Sequence, residues 1–252
     1  MIALAEAPSW IAVFTASERP DLWDHTDKHD PFHSVWPEYN HHGNHSNSYF
    51  GSLYPAHADL QVLVVDQREE RVVARGRTIP FRWDGSLTDL PSGIDAVGIR
   101  AIEHPDSPNT LSALAAEVLP DCQGLGLSSI LLRSMASMAR RRGLTALVAP
   151  VRPSSKDRYP VTPIARYARW QTPGGLPFDP WMRVHARLGA SIVRPEPRSM
   201  EISAPVADWE RWVDMVLPDD GDYVFARGLA PLSVADGIGR YWEPNVWMRH
   251  PL

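Results

Sequence analysis

The sequence predicts an α/β protein built on a central mixed sheet, and three stretches carry that reading. Residues 60–66, "LQVLVVD", and 71–79, "RVVARGRTI", are β-branched runs joined by the polar turn "QREE", the pattern of an antiparallel hairpin. Residues 110–120, "TLSALAAEVLP", form a strand with two mostly apolar faces, which belongs in the middle of a sheet. Residues 121–151, "DCQGLGLSSILLRSMASMARRRGLTALVAPV", then read as glycine turn, helix and buried strand. With the preceding strand they make a βαβ unit, whose two strands run parallel.

Composition is that of a chain that buries a substantial core. The 252 residues are 44% hydrophobic and 22% charged, with 10 Trp. No internal repeat, low-complexity tract or Gly/Ser-rich linker interrupts them, so residues 1–252 are expected to form a single domain. The start, "MIALAEAPSWIAVFTASERP", lacks a basic region and is interrupted by Glu6, Pro8 and Ser9, so it resembles neither a leader nor a membrane span. One cysteine, Cys122, allows no internal disulfide and no Cys-rich zinc pattern, and a cytoplasmic location is expected. The net charge of −5 argues against nucleic acid and membrane surfaces as partners, despite the basic cluster Arg140, Arg141 and Arg142. Small-molecule chemistry is the leading expectation.

The elements follow in order. A first strand is expected near residues 10–16, then a helical region over 18–58, then the hairpin, whose second strand should end at Pro80. "WDGSLTDLPSGIDAVGIRAI" is turn-rich and then helical. A helix over 127–142 follows from Leu127, Ile130, Leu131, Met135 and Met138 at helical spacing, from three arginines in its last turn, and from Gly143 just past its end. In residues 179–193, "DPWMRVHARLGASIV", Asp179 is placed to cap a short helix, Pro180 to open it and Gly189 to end it. "SIVRPEPRSMEIS" suggests two strands, and residues 203–252 read as a C-terminal elaboration with an amphipathic helix near 207–216 and further short strands.

The glycine turn is the chemically informative part. Its two glycines let the backbone approach a ligand closely, and the free N–H groups of the following helical turn favour an anion. A Walker A loop would need Gly-Lys-Ser/Thr, and no lysine is present. A dinucleotide fingerprint would need to follow the first strand, with an acidic residue some way downstream, and neither condition holds. Gln123, Gly124, Leu125, Gly126, Leu127 and Ser128 instead resemble the Gln/Arg-x-x-Gly-x-Gly/Ala pyrophosphate loop of the GCN5-related N-acetyltransferase (GNAT) superfamily, with serine as the departure at the last position. The resemblance implies the GNAT fold, a central mixed sheet splayed open and flanked by helices. It also implies an acyl-coenzyme A donor, acetyl-CoA or another acyl-CoA, held by those six residues. Val118 of the preceding strand would contribute backbone to the thioester.

A second stretch supports the resemblance. His185, Ala186, Arg187, Leu188, Gly189 and Ala190 fall where the superfamily commonly has Tyr-x-x-x-Gly-Phe, which puts His185 in place of the tyrosine that protonates the departing thiolate. The segments "VWPEYN", "PFRWDG", "APVRPSSKDRYP", "DPWMRVHARLGA" and "EPNVWMRH" are similar to a bacterial branch that includes the GNAT-like loading domains of polyketide synthases. From that branch come His185 and Ser154 as catalytic residues, although a threonine is expected at the second, and Trp36 and Arg198 as residues lining the acyl pocket. The expected function is acyl transfer to an amine or a thiol acceptor. The alternative is decarboxylation of malonyl-CoA with transfer to a carrier-protein thiol. A non-catalytic CoA-binding module is the rival of a different class, and it would leave His185 outside the cleft.

The stretch "PEYNHHGNHSNSYF", residues 37–50, with His25, His29 and His33 upstream, is rich enough in histidine to suggest zinc. Pro31 and Pro37 interrupt any helix that would align these side chains, and no H-E-x-x-H pattern occurs. Residues 18–58 are therefore expected to form a polar wall of the acceptor cleft, with no metal. Cys122 precedes a helix N-terminus, where thiols are acidified, but it abuts the expected pyrophosphate and not the thioester, so no role in catalysis is assigned to it.

Overall fold

The hairpin and the βαβ unit belong to one nine-stranded sheet in the computed structural model, which describes residues 8–252. The reading of the chain start rests in part on residues 1–7, which lie outside the described residues. Among the described residues no helix is long and apolar enough to cross a membrane.

The strands are β1 (Ile11–Thr15), β2 (Val62–Asp66), β3 (Arg71–Phe81), β4 (Thr110–Val118), β5 (Ala146–Val151), β6 (Ser191–Pro205), β7 (Gly221–Tyr223), β8 (Leu232–Ala235) and β9 (Ile238–His250). Their order is β1-β2-β3-β4-β5-β9-β8-β7, with β6 also paired to β9. All pairs are antiparallel except β4 with β5. The α-helices among the described residues are α1 (Pro20–His29), α2 (Ser46–His57), α3 (Ile94–Glu103), α4 (Leu127–Arg141), α5 (Ile164–Tyr167), α6 (Pro180–Arg187) and α7 (Val206–Val213).

The helices pack on both faces of the sheet. Helix α4 buries Leu127, Ile130, Leu131, Leu132, Met135 and Met138. It lies so close to β3 that a Cβ on Gly76 would sit 2.6 Å from Met135 Cε. Helices α2 and α3 cover the other face, where Tyr49, Leu53 and Val97 join Ile79, Phe81, Val148 and Trp247 in one apolar cluster. Gly98 lets α3 meet α2 there, because a Cβ on it would lie 2.4 Å from the Tyr49 ring.

Several elements differ from the sequence expectation for local reasons. Strand β3 does not end at Pro80; Pro80 is paired with Leu111 of β4. Its missing N–H is tolerated because β2 pairs with β3 only as far as Gly76, so at Pro80 that side of β3 is an edge. Residues 191–205 are one long strand, not two; its register with β9 is irregular at Ile192/Arg194 and at Glu196/Met200, the second absorbing Pro197, while Pro195 stays in register opposite Val246. Helix α7 stops at Val213, since Asp214 turns into the left-handed region at φ 49°. Residues 203–252 do more than elaborate the fold, because β9 runs beside β5 in the middle of the sheet.

The sheet opens at one place. Strands β4 and β5 pair only from Thr110↔Ala146 to Ser112↔Val148. Beyond that point β4 stays with β3 while β5 stays with β9, so the two diverge into a fork.

Candidate active site

A cavity of about 750 Å³ occupies the fork. The lining comes from β4 between Ala113 and Val118, from β5, from the glycine turn, from α6 and from the segment around residues 35–50. Leu119 N–H donates to Val73 O at 3.1 Å, toward β3. Strand alternation therefore aims the backbone of Val118 the opposite way, into the fork.

The turn at the mouth of the fork is built from two left-handed glycines, Gly124 at φ 79° and Gly126 at φ 78°. Gly126 is the N-cap of α4 and offers no capping side chain. Gln123 N–H donates to Pro120 O at 3.4 Å, and the next inward bonds come from Ser129 and Ile130 to Gly126 O. The backbone N–H groups of Gly124, Leu125, Gly126, Leu127 and Ser128 make no hydrogen bond within the described residues. Five successive free donors at a helix N-terminus form a strong anion cradle. Gln123, Gly124, Gly126, Leu127 and Ser128 line the cavity with Val118, whereas the Leu125 side chain points outward and is 49% exposed.

Across the fork, Asp179 caps α6 by accepting from Trp181 N–H and Met182 N–H. This holds His185 one turn further on, with 1% exposure, its ring 4.4 Å from that of Trp181. His185 Nδ1 lies 2.8 Å from Nε2 of His250, the last residue of β9. His185 Nε2 is buried, has no hydrogen-bond partner among the described residues, and belongs to a residue of the cavity wall. Burial, with the neighbouring His250, lowers the His185 pKa to about 3, and burial lowers that of His250 to about 4. Both rings are neutral at physiological pH, so one N–H is shared between them. Ser154, in the loop after β5, lines the same cavity.

The other wall is charged. Arg75 stands opposite Glu117 and Arg77 opposite Ala115, so both arginines and Glu117 share the sheet face turned away from α4. Arg75 Nε donates to Glu117 Oε2 at 2.8 Å, Arg75 Nη2 to Glu117 Oε1 at 3.2 Å, and Trp36 Nε1 to the same Oε1 at 2.8 Å. Arg77 Nε pairs with Glu117 Oε2 at 3.5 Å. Burial would raise the Glu117 pKa, but the charges of Arg75 and Arg77 and these hydrogen bonds outweigh it and leave it lowered. Glu117 is thus a fixed anion and a poor general base. A second ion pair, half-buried Arg152 with buried Glu243, also lines the cavity, and Tyr39 and Tyr241 hydrogen-bond to it.

The structure therefore gathers Trp36, Val118, Gln123, Gly124, Gly126, Leu127, Ser128, Ser154 and His185 around one cavity. Arg198 is not among them. It is exposed on β6 and lies over the Trp242 ring at 5.7 Å, because the irregular register around Glu196 and Met200 turns it outward. Cys122 lines the cavity, but burial and then Asp121 raise its thiol pKa, which leaves it a thiol.

His25, His29, His33, His41 and His42 make other contacts, His25 against His29 at 4.6 Å. His33 stacks on His41 at 4.0 Å, His42 stacks on Trp212 at 4.0 Å, and Glu38 bonds both His33 and His42. Among the described residues no three His, Cys, Asp or Glu side chains converge on a possible metal position.

Sequence reasoning missed Arg75, Arg77, Glu117, Glu243 and His250. The first three carried a signal, as charged residues inside apolar strands. His250 carried none, since only the pairing Leu147↔His250 brings it to α6.

No family model matches the sequence. A curated relative, the arginine N-acetyltransferase avaD of Aspergillus versicolor, is 30% identical over 278 aligned positions, covering 97% of this chain and 95% of the relative. Among solved structures, the loading GNATL domain of CurA from Lyngbya majuscula aligns over 96% of this chain and 98% of that domain, with a TM-score of 0.64 and 18% identity. The GphF GNAT-like decarboxylase in complex with isobutyryl-CoA aligns over 96% of this chain and 98% of its own, with a TM-score of 0.56 and 18% identity. At that identity the two structures speak to fold alone.

Proposed function

Because the chain belongs to the GNAT superfamily and is an acyl-CoA-dependent acyltransferase, we propose that it moves an acetyl group from acetyl-CoA to a primary amine across the β4–β5 fork. The observation that carries this reading is the opposition of two sets of unpartnered groups across one cavity. The five free N–H groups of residues 124–128 stand at its mouth, and His185 Nε2 stands in its wall.

The N–H groups of residues 124–128 bind the pyrophosphate, the dominant charge of the donor. Pantetheine then enters the fork, where the strand edge of β4 is unpaired beyond Ser112. The backbone N–H of Val118 donates to the thioester oxygen as negative charge develops there during attack by the amine. His185 acts at the sulfur. Burial lowers the His185 pKa to about 3, so the ring carries no spare proton at pH 7, and we assign it a hydrogen bond to the sulfur in place of full protonation by an imidazolium. We assign the shared proton to His250 Nε2, donated to His185 Nδ1, which leaves Nε2–H of His185 to hydrogen-bond the departing thiolate. A thiolate with a pKa of about 8.5 leaves without full proton transfer from the ring; the N–C bond forms as the C–S bond breaks, and the proton that the amine loses passes through solvent to the released thiolate.

Ser154 faces the same cavity as His185, and this is the one observation that favours the second reading, decarboxylation of a malonyl thioester. A non-catalytic CoA-binding module would not need His185 in the cavity wall. The amine named for the curated relative, arginine, is the first acceptor to test. We place the enzyme in the cytoplasm on its single cysteine and the character of its sequence, as one domain over residues 1–252.

The test is mass spectrometry of products formed from acetyl-CoA with arginine and other amines, together with carbon dioxide release from malonyl-CoA. Acetylated amine and free CoA support the reading. Carbon dioxide release without acetylation of any amine would replace it with the second.

A further inference from the structure

We propose that Arg75 and Arg77, with Asn40, form a subsite for a carboxylate carried by one of the substrates. The inference rests on the acyl-transfer reading only in taking the fork as the place where substrates meet.

Two guanidinium groups carry ten N–H donors in all, and very little of that capacity is used here. Arg75, with a side chain only 2% exposed, spends Nε and Nη2 on Glu117 and Asp30, and its Nη1 is buried with no hydrogen-bond partner among the described residues. Arg77, 19% exposed, makes no hydrogen bond among the described residues, and its buried Nε has only the long ion pair with Glu117 at 3.5 Å. Asn40 Nδ2 is buried with no hydrogen-bond partner among the described residues. All three residues line the cavity.

Glu117 does not meet this demand. Its two oxygens already accept from Trp36 Nε1, Arg75 Nε and Arg75 Nη2, and its ion pair with Arg77 stretches to 3.5 Å, beyond useful hydrogen-bond strength. Asp30 pairs with Arg75 at 3.1 Å but is 39% exposed at the rim, where solvent weakens its compensation. Buried donors left unmade are costly, and charged ones more so. Phe32 under Arg75 at 4.9 Å and Phe50 under Arg77 at 5.3 Å hold the guanidinium planes in place. The free groups on this wall are thus donors on fixed, cationic forks.

The occupant that matches is a planar anion with two acceptor oxygens, which a guanidinium binds in a bidentate manner. A cationic group finds no free acceptor among these buried atoms, whose unsatisfied members are all donors, so an acceptor with both an amine and a carboxylate is oriented by them. Its carboxylate meets Arg77 while the amine faces the thioester near Val118. A dicarboxylic acyl group such as malonyl presents the same chemistry from the donor side.

The experiment has an arm for each source. In the first, acetylation rates are measured for each L-amino acid and for the amine that remains when its α-carboxyl is removed. In the second, calorimetry compares malonyl-CoA with acetyl-CoA. Both arms use wild type, Arg77→Met, Arg77→Lys and Asn40→Leu, each checked for cooperative thermal unfolding. The expected result is a preference of at least about tenfold for the carboxylate-bearing partner in one arm. Arg77→Met should reduce it to about twofold, and Arg77→Lys and Asn40→Leu should reduce it in part. Absence of a carboxylate preference in both arms overturns the subsite, as does a preference that survives in folded Arg77→Met. If Arg77→Met does not unfold cooperatively, Asn40→Leu decides. If no amine is acetylated but malonyl-CoA binds more tightly in an Arg77-dependent way, the amine-transfer reading fails and the carboxylate subsite stands.

Discussion

His185 Nδ1 and His250 Nε2 lie 2.8 Å apart, joining the short helix α6 to the last residue of strand β9. Both rings are buried and neutral, so the contact is a single N–H shared between two imidazoles. It fixes which face of His185 looks into the cavity, and its state decides whether His185 offers a donor or an acceptor there.

That arrangement predicts coupled losses. His185→Ala should lower kcat by a factor of order 10². His250→Phe should remove the donor to Nδ1 and lower kcat by about tenfold or more, with the KM for acetyl-CoA little changed. His250→Gln keeps an N–H donor and should recover part of the loss. The double variant should be no slower than His185→Ala alone, because the partner acts only through His185. Additive effects would show that His250 works by some other route.

The same pair makes stability depend on pH with a defined sign. The folded pKa values, about 3 and about 4, lie below the unfolded value of about 6.5, so the unfolded chain binds more protons in between. The stability is complete above about pH 6.5 and is lost as pH falls toward 4, by up to about 1.4 kcal/mol per unit for each ring. Urea unfolding at pH 7, 6 and 5 should show a shallower acid loss in a His185→Met variant than in wild type. Equal slopes would mean that the rings titrate normally.

Gly126 sits at φ 78° with open space where a Cβ would go. Valine there adds left-handed strain of about 1–2 kcal/mol and puts methyl groups beside the free N–H groups. CoA affinity should fall by about tenfold or more, about 1.4 kcal/mol. Calorimetry on the folded variant checks this, and unchanged affinity would move the pyrophosphate elsewhere.

Glu117→Gln leaves Arg75 and Arg77 facing each other without their buried anion. Removing one partner of a buried pair costs about 3–5 kcal/mol. A marked fall in thermal midpoint is expected, and a change near zero would show that Asp30 alone suffices to balance the arginines.

Much of the fold was legible because it is written in local patterns. The β2–β3 hairpin, the central strand β4, the amphipathic helix α4 between Gly126 and Gly143, and the Asp179-Pro180 start of α6 each follow from side-chain period and capping chemistry within a few residues. The glycine turn was legible for the same reason, since left-handed φ at Gly124 and Gly126 is a property of those residues alone. The course of β3 through Pro80 was not, because its tolerance depends on where β2 stops.

The sequence by itself determined which segments become strands, helices and the anion-binding turn, since those choices are made by contacts between neighbours in the chain. Only the tertiary structure decided which distant side chains share a cavity. His250 reaches His185 across 65 positions through the register of β9 on β5, and Glu117 reaches Arg75 across 42 through that of β4 on β3. Arg198 was sent to the surface by an irregularity in β6 that no periodicity announces. Register is a property of paired strands, and a shift of one residue exchanges the two faces of a sheet, so no reading of either strand alone places these groups.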